Sequence, residues 1–153
     1  MYLYFKNKRE IFIWSIKQLT EGIEKDLKDL ISSKKMPYTE CLETVMFTIL
    51  DRCADNQRLF NVVLTYLLRL QKTGKDPESR VKRRTIRVRH LLSQIIIAGK
   101  NAGEFLVKTN VRNANELLYG LIESAIFRIA ILDRNDVSDV KRAVTLAIQG
   151  FSA

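Results

Sequence analysis

Apolar residues recur at three- and four-residue steps along almost the whole chain, and no stretch alternates long enough to read as a strand. That spacing restricts the chain to helices packed on helices. Phe12, Ile16, Leu19, Ile23, Leu27 and Leu30 keep one apolar face from a capping box at Asn7 and Glu10 to about Ser33. Pro37 ends this helix, and Thr39 can cap the next, which carries Cys41, Leu42, Val45, Met46, Ile49, Leu50 and Cys53. After "ADNQ", a third helix over about 57–72 is apolar nearly all round, so a central position is expected for it. "TGKDPESR" is a loop whose Asp76-Pro77 opens a fourth helix, expected to run to Ala98 with Gly99 as its stop. "KNAGEFLVKTN" connects it to a fifth helix over about 111–132, and a sixth runs from Val137 to Gln149 with Gly150 as its stop. The expected fold class is all-α, in one domain of about six main helices.

Several function classes have nothing to stand on. No apolar run reaches the roughly 20 residues of a membrane span, and the start lacks the features of a cleaved leader. Cys41 and Cys53 lie twelve residues apart in one helix. That separation is about 18 Å, too far for a disulfide, and unpaired thiols suit a cytoplasmic location. With one histidine in 153 residues, a metal site has little to build on. There is no G-x-S-x-G, no glycine-rich phosphate loop and no H-E-x-x-H. The expectation is a chain that is not an enzyme and holds no metal or cofactor.

The net charge of +9 favours association with polyanions. It concentrates in "RVKRRTIRVRH", where six Lys/Arg residues fall between Arg80 and Arg89 with no acid among them. On a helix, Val81, Val88, Leu92, Ile95 and Ile96 share the inward face, and Arg80, Arg83 and Arg87 lie opposite, mostly as a solvated face. The alternative is a stand-alone helical module that binds RNA or an acidic partner through this stretch. No aromatic residue interleaves with these charges, which weakens a single-strand reading.

The opening "YLYFKNKREIF" resembles the hinge of the TetR family of bacterial transcriptional regulators, where a helix-turn-helix ends in an aromatic run and a Lys-Asn-Lys corner leads into a long helix. Tyr2, Tyr4, Phe5, Lys6, Asn7, Lys8, Glu10, Ile11 and Phe12 fit that pattern, and "NAGEF" at 101–105 resembles a weaker family feature before the penultimate long helix. The resemblance implies that residues 1–6 are a remnant of the DNA-reading domain, the end of its recognition helix, and that residues 7–153 form an effector-binding and dimerisation domain. It implies a ligand-responsive repressor that reaches operator DNA only when the helix-turn-helix is present, with Tyr2, Tyr4, Lys6 and Lys8 at or near the DNA backbone. Ile11 and Trp14, off the main apolar stripe, suit a second packing partner of this kind.

Two sets of site residues follow. An apolar third helix, a fourth helix with a partly polar second face, and a fifth with Tyr119, Glu123 and Phe127 on one side are expected to enclose a small hydrophobic effector. Its expected wall is Phe47, Phe60, Tyr66, His90, Gln94, Tyr119, Glu123 and Phe127. The last two helices carry more apolar surface than one chain can cover, so a homodimer with a four-helix bundle is expected through Leu118, Ile122, Ile126, Val140, Val144, Ala147 and Ile148.

Overall fold

The helix at the centre of the described residues is the one that opens after Pro37, not the one that follows "ADNQ". The structure, a computed structural model, describes residues 36–153 and, before them, Lys17, Gln18, Glu21, Gly22, Lys25, Lys28 and Asp29; for residues 77–84 it describes the backbone alone. Five helices follow one another: α1 (Tyr38–Asp55), α2 (Gln57–Lys72), α3 (Pro77–Asn101), α4 (Val111–Ala130) and α5 (Ser138–Gly150). The seven described residues before Met36 are helical, and a β-carbon at Gly22 would lie 3.5 Å from the Arg52 guanidinium, so this stretch runs beside α1. The rest of the expected first helix, the corner at 6–8 and the pair Ile11 and Trp14 lie outside the described residues.

α1 buries Leu42, Val45, Met46, Ile49, Leu50 and Cys53, spaced so that they cover more than one side of the helix, and it packs against α3, α4 and α5. α2 was expected in this place and lies at the margin instead. It buries only Phe60, Val63 and Leu70, and Leu68 is half exposed. The reason is legible in retrospect: Arg58, Asn61, Thr65, Arg69 and Lys72 recur at three- and four-residue steps and form an exposed polar stripe. A nearly continuous apolar run had masked a real amphipathic pattern.

Two helices end in the same way. At the end of α2 the Lys75 N–H donates to Leu70 O at 3.0 Å and the Gly74 N–H to Gln71 O at 3.0 Å, with Gly74 at φ 78°. At the end of α3 the Glu104 N–H donates to Gly99 O at 2.9 Å and the Gly103 N–H to Lys100 O at 3.1 Å, with Gly103 at φ 80°. Both are Schellman motifs, in which glycine takes the left-handed position without steric cost. The stop of α3 is therefore Gly103, four residues beyond the expected Gly99. Gly99 is inside the helix because the Phe105 ring, 1% exposed, lies directly against its α-carbon.

The remaining ends are fixed by side chains. Asn110 caps α4 by accepting from the Asn113 N–H at 3.0 Å, and Asp136 accepts from the backbone and hydroxyl of Ser138 at the start of α5. Gln57 at the start of α2 donates to Ile129 O at 3.1 Å and to the Asp133 carboxylate, tying α2 to the end of α4. α4 touches all four other helices, and Ala114, Leu118, Ile122, Ala125 and Ile129 complete the core with Val140, Val144 and Ile148 of α5.

Candidate functional site

Among the described residues, a connected group of polar side chains lies along the seam between α3 and α4. On α3, Arg89 and Ser93 are one turn apart; on α4, Asn115 and Tyr119 are one turn apart and face them. The Arg89 guanidinium stands 3.9 Å over the centre of the Tyr119 ring and pairs with Glu116 at 2.5 Å. Asn115, 6% exposed, donates to Arg89 O at 2.7 Å and to Ser93 Oγ at 2.6 Å, which fixes its amide orientation because the carbonyl can only accept. Its Oδ1 is buried without a partner among the described residues. Burial works against the charge on Arg89, but the hydrogen bond and charge of Glu116, with Tyr119 and Glu123, outweigh it and raise the guanidinium above its ordinary pKa. A cation is thus held over an aromatic ring by the chain's own residues.

The eight residues expected to wall an enclosed pocket are not brought to one chamber. Phe60 belongs to the main core. Phe47 is half-buried on the α5 side of α1, where the Lys141 ammonium lies 5.3 Å from its ring and pairs with Asp51 at 2.7 Å. Tyr66 packs with Val63 and Leu67 in a small satellite cluster on α2. His90, Gln94, Glu123 and Phe127 are exposed, and Tyr119 is half-buried beneath Arg89. Glu123 therefore sits in solvent rather than among aromatic side chains, because the inward line of α4 is taken by Leu118, Ile122 and Ala125. What the fold assembles from this set is Tyr119 with Glu123 near it, joined by Arg89, Glu116, Ser93 and Asn115, which spacing on single helices could not pair across the seam.

Most of the residues expected at a dimer interface are turned inward within one chain. Leu118, Ile122, Val140, Val144 and Ile148 are each 4% exposed or less within one chain, and Ile126 and Ala147 are half-buried against the same core. Within one chain these residues pack α4 and α5 into the common core. The apolar residues that α4 and α5 do turn outward are different: Leu117 is 50% exposed, Phe127 52% and Leu146 70%. α4 is apolar on two sides, so its sequence could not say which side faces in.

Elsewhere the described residues carry little chemistry. The side chains of Arg80, Lys82, Arg83 and Arg84 lie outside the description; of that basic stretch, Arg87 is exposed and Arg89 is turned onto α4. Tyr2, Tyr4, Lys6 and Lys8 also lie outside the described residues. Cys53 is buried, and desolvation pushes its thiol up to about 12, while Cys41 is half-buried. Among the described residues no cluster of three His, Cys, Asp or Glu side chains could hold a metal, and no helix is long and apolar enough to cross a membrane.

One residue that spacing alone did not mark as functional is Glu104, within the "NAGEF" stretch. Its carboxylate accepts from the Tyr38 N–H at 3.0 Å, the Thr39 N–H at 3.2 Å and the Thr39 hydroxyl at 3.3 Å, all at the start of α1. No protein-family model, curated protein or solved structure matches the chain.

Proposed function

We propose that this chain is the effector-sensing and dimerisation part of a TetR-like, ligand-responsive transcription regulator, without catalytic activity. The observation that carries the reading is the sequence "YLYFKNKREIF" standing ahead of an all-helical body. The position of the "NAGEF" connector, at the point where the chain enters that body, supports it.

In this reading an effector binds at the α3–α4 seam, where the half-exposed Arg89 guanidinium over Tyr119, with Glu116 beside it, offers polar and aromatic recognition. The effector acts by binding one orientation of the N-terminal helix better than another, since a ligand shifts an equilibrium only by its differential affinity. In a dimer that orientation sets the spacing of two DNA-reading domains against operator half-sites. The second copy docks on the outward apolar residues of α4 and α5, centred on Leu117 and Leu146, rather than on the buried stripes.

Reading the coding DNA upstream of Met1 tests the family assignment directly: an in-frame helix-turn-helix supports it, and its absence behind a good ribosome site refutes it. A thermal-shift screen with lipophilic cations and neutral compounds, repeated on Arg89→Met, tests the seam. Ligands that stabilise both forms equally would place the effector elsewhere. The chain alone should bind DNA only weakly and lose that binding steeply with salt. A gel shift that survives competitor DNA at physiological salt would instead favour the basic stretch of α3 as a nucleic-acid reader.

A further inference from the structure

Three different elements meet on one residue, and one of them is the entrance to the fold. α1 begins immediately after Pro37, whose side chain offers no acceptor, so the first N–H groups of the helix have no local cap. Glu104 supplies one from 65 residues away, with both carboxylate oxygens used and a negative charge placed where the helix dipole favours it. The main chain of the same residue is occupied on both sides. Its N–H closes the Schellman motif at the end of α3 by donating to Gly99 O at 2.9 Å, and its carbonyl accepts from the Ala153 N–H at 2.9 Å.

The neighbours prevent this junction from sliding. The Leu106 N–H donates to Phe151 O at 2.9 Å, and Phe105 and Phe151 pack edge to face with centroids 5.3 Å apart. Phe105 is 1% exposed and rests on Gly99. The end of α3, the start of α1 and the C-terminal segment therefore cannot move independently while Glu104 holds all three.

We propose that Glu104 is a positioning residue that couples the end of α3 and the C-terminal segment to the start of α1, so that loosening one of the three loosens the others. The further consequence, that an effector at the α3–α4 seam redirects the N-terminal helix through Glu104, rests on the regulator reading above. The coupling itself does not.

Residue-resolved amide hydrogen exchange on the full chain tests it, with no effector or DNA required. Ala153→Pro removes a single donor to Glu104 O and leaves its carboxylate in place. It should speed exchange at Tyr38 and Thr39, on the far side of Glu104, by about threefold to tenfold, as loss of one hydrogen bond allows. Glu104→Gln keeps the size of the side chain and removes its charge. It should speed exchange at Tyr38 and Thr39 and also at Leu106 and Ala153. In the double variant, Ala153→Pro should add nothing further at Tyr38, because the link it acts through is already cut.

The proposal is overturned if Glu104→Gln affects only Tyr38 and Thr39, which makes Glu104 a simple cap. It is equally overturned if Ala153→Pro leaves those two amides unchanged. Circular dichroism and the protection of the buried α4 amides check that each variant is folded. Should Glu104→Gln fail that check, Ala153→Pro alone decides the matter. A positive exchange result with no helix-turn-helix upstream would leave the coupling standing and remove the regulator reading.

Discussion

Replacing Gly99 by alanine should destabilise the protein, although the same change in an ordinary helix stabilises. Gly99 lies inside α3 and its φ is not positive, so alanine meets no backbone strain there and gains about 1 kcal/mol of helix propensity. Against this, the new β-carbon would stand 2.3 Å from Phe105 Cε2 and 2.4 Å from Cδ2. Carbon atoms pack at about 3.5–4.0 Å, so the ring must retreat by more than an ångström. It has little room to do so. The ring is 1% exposed and packed edge-on to Phe151, and the backbone N–H groups of Glu104 and Phe105 both donate to Gly99 O.

Overpacking of this kind costs about 1–3 kcal/mol, and partial loss of the Phe105 contacts adds to it. The expected net loss is about 2 kcal/mol, a fall in Tm of roughly 4–8 °C for a chain of this length. Urea unfolding and thermal melts measure it. Phe105→Leu should relieve the clash, so the double variant should lose at least about 1 kcal/mol less than the two single losses added together. If Gly99→Ala proves as stable as the parent protein, or if Phe105→Leu gives no relief, the close approach of ring to helix is not what places glycine there.

Gly120 is the opposite case: nothing lies within 4 Å of a β-carbon built there, so Gly120→Ala in mid-α4 should stabilise by up to about 1 kcal/mol in the same urea assay. Leu146→Arg should convert a micromolar dimer into a folded monomer by sedimentation, because Leu146 is 70% exposed within one chain and its loss costs the subunit's own fold little; a parent chain that is already monomeric would refute the docking face. Cys53 keeps its proton to about pH 12 in the folded chain, whereas an unfolded thiol loses it above about pH 9. The unfolded state therefore binds fewer protons in that window, and stability attributable to Cys53 falls by about 1.4 kcal/mol per pH unit as pH rises. Cys53→Ala should show a shallower alkaline decline, and equal slopes would contradict the burial argument. Labelling at neutral pH should reach Cys41 well before Cys53.

The amino-acid sequence specifies the five described helices and their approximate spans. Local rules act there: proline before α1 and at the start of α3, and apolar spacing that returns every three or four residues; the expected Thr39 cap does not form, since α1 already begins at Tyr38 and takes its cap from Glu104. The sequence also determined which residues of α5 form an apolar line, since Val140, Val144 and Ile148 can lie on only one face. Tertiary structure decided which apolar face turns inward where a helix has two. In α4 both sides are apolar, and the requirement to contact four neighbouring helices consumed Leu118 and Ile122 and left Leu117 outside. It decided that α1 rather than α2 is central: α1 is surrounded by the other helices, whereas the polar stripe of Arg58, Asn61, Thr65, Arg69 and Lys72 holds one side of α2 in solvent. It moved the end of α3 from Gly99 to Gly103, since the role of Gly99 is to admit a ring from beyond the helix. The junctions at Glu104 and at Arg89 with Tyr119 were out of reach of spacing for the same reason. They join residues on different elements, and only the packing of the helices brings those residues within hydrogen-bond distance.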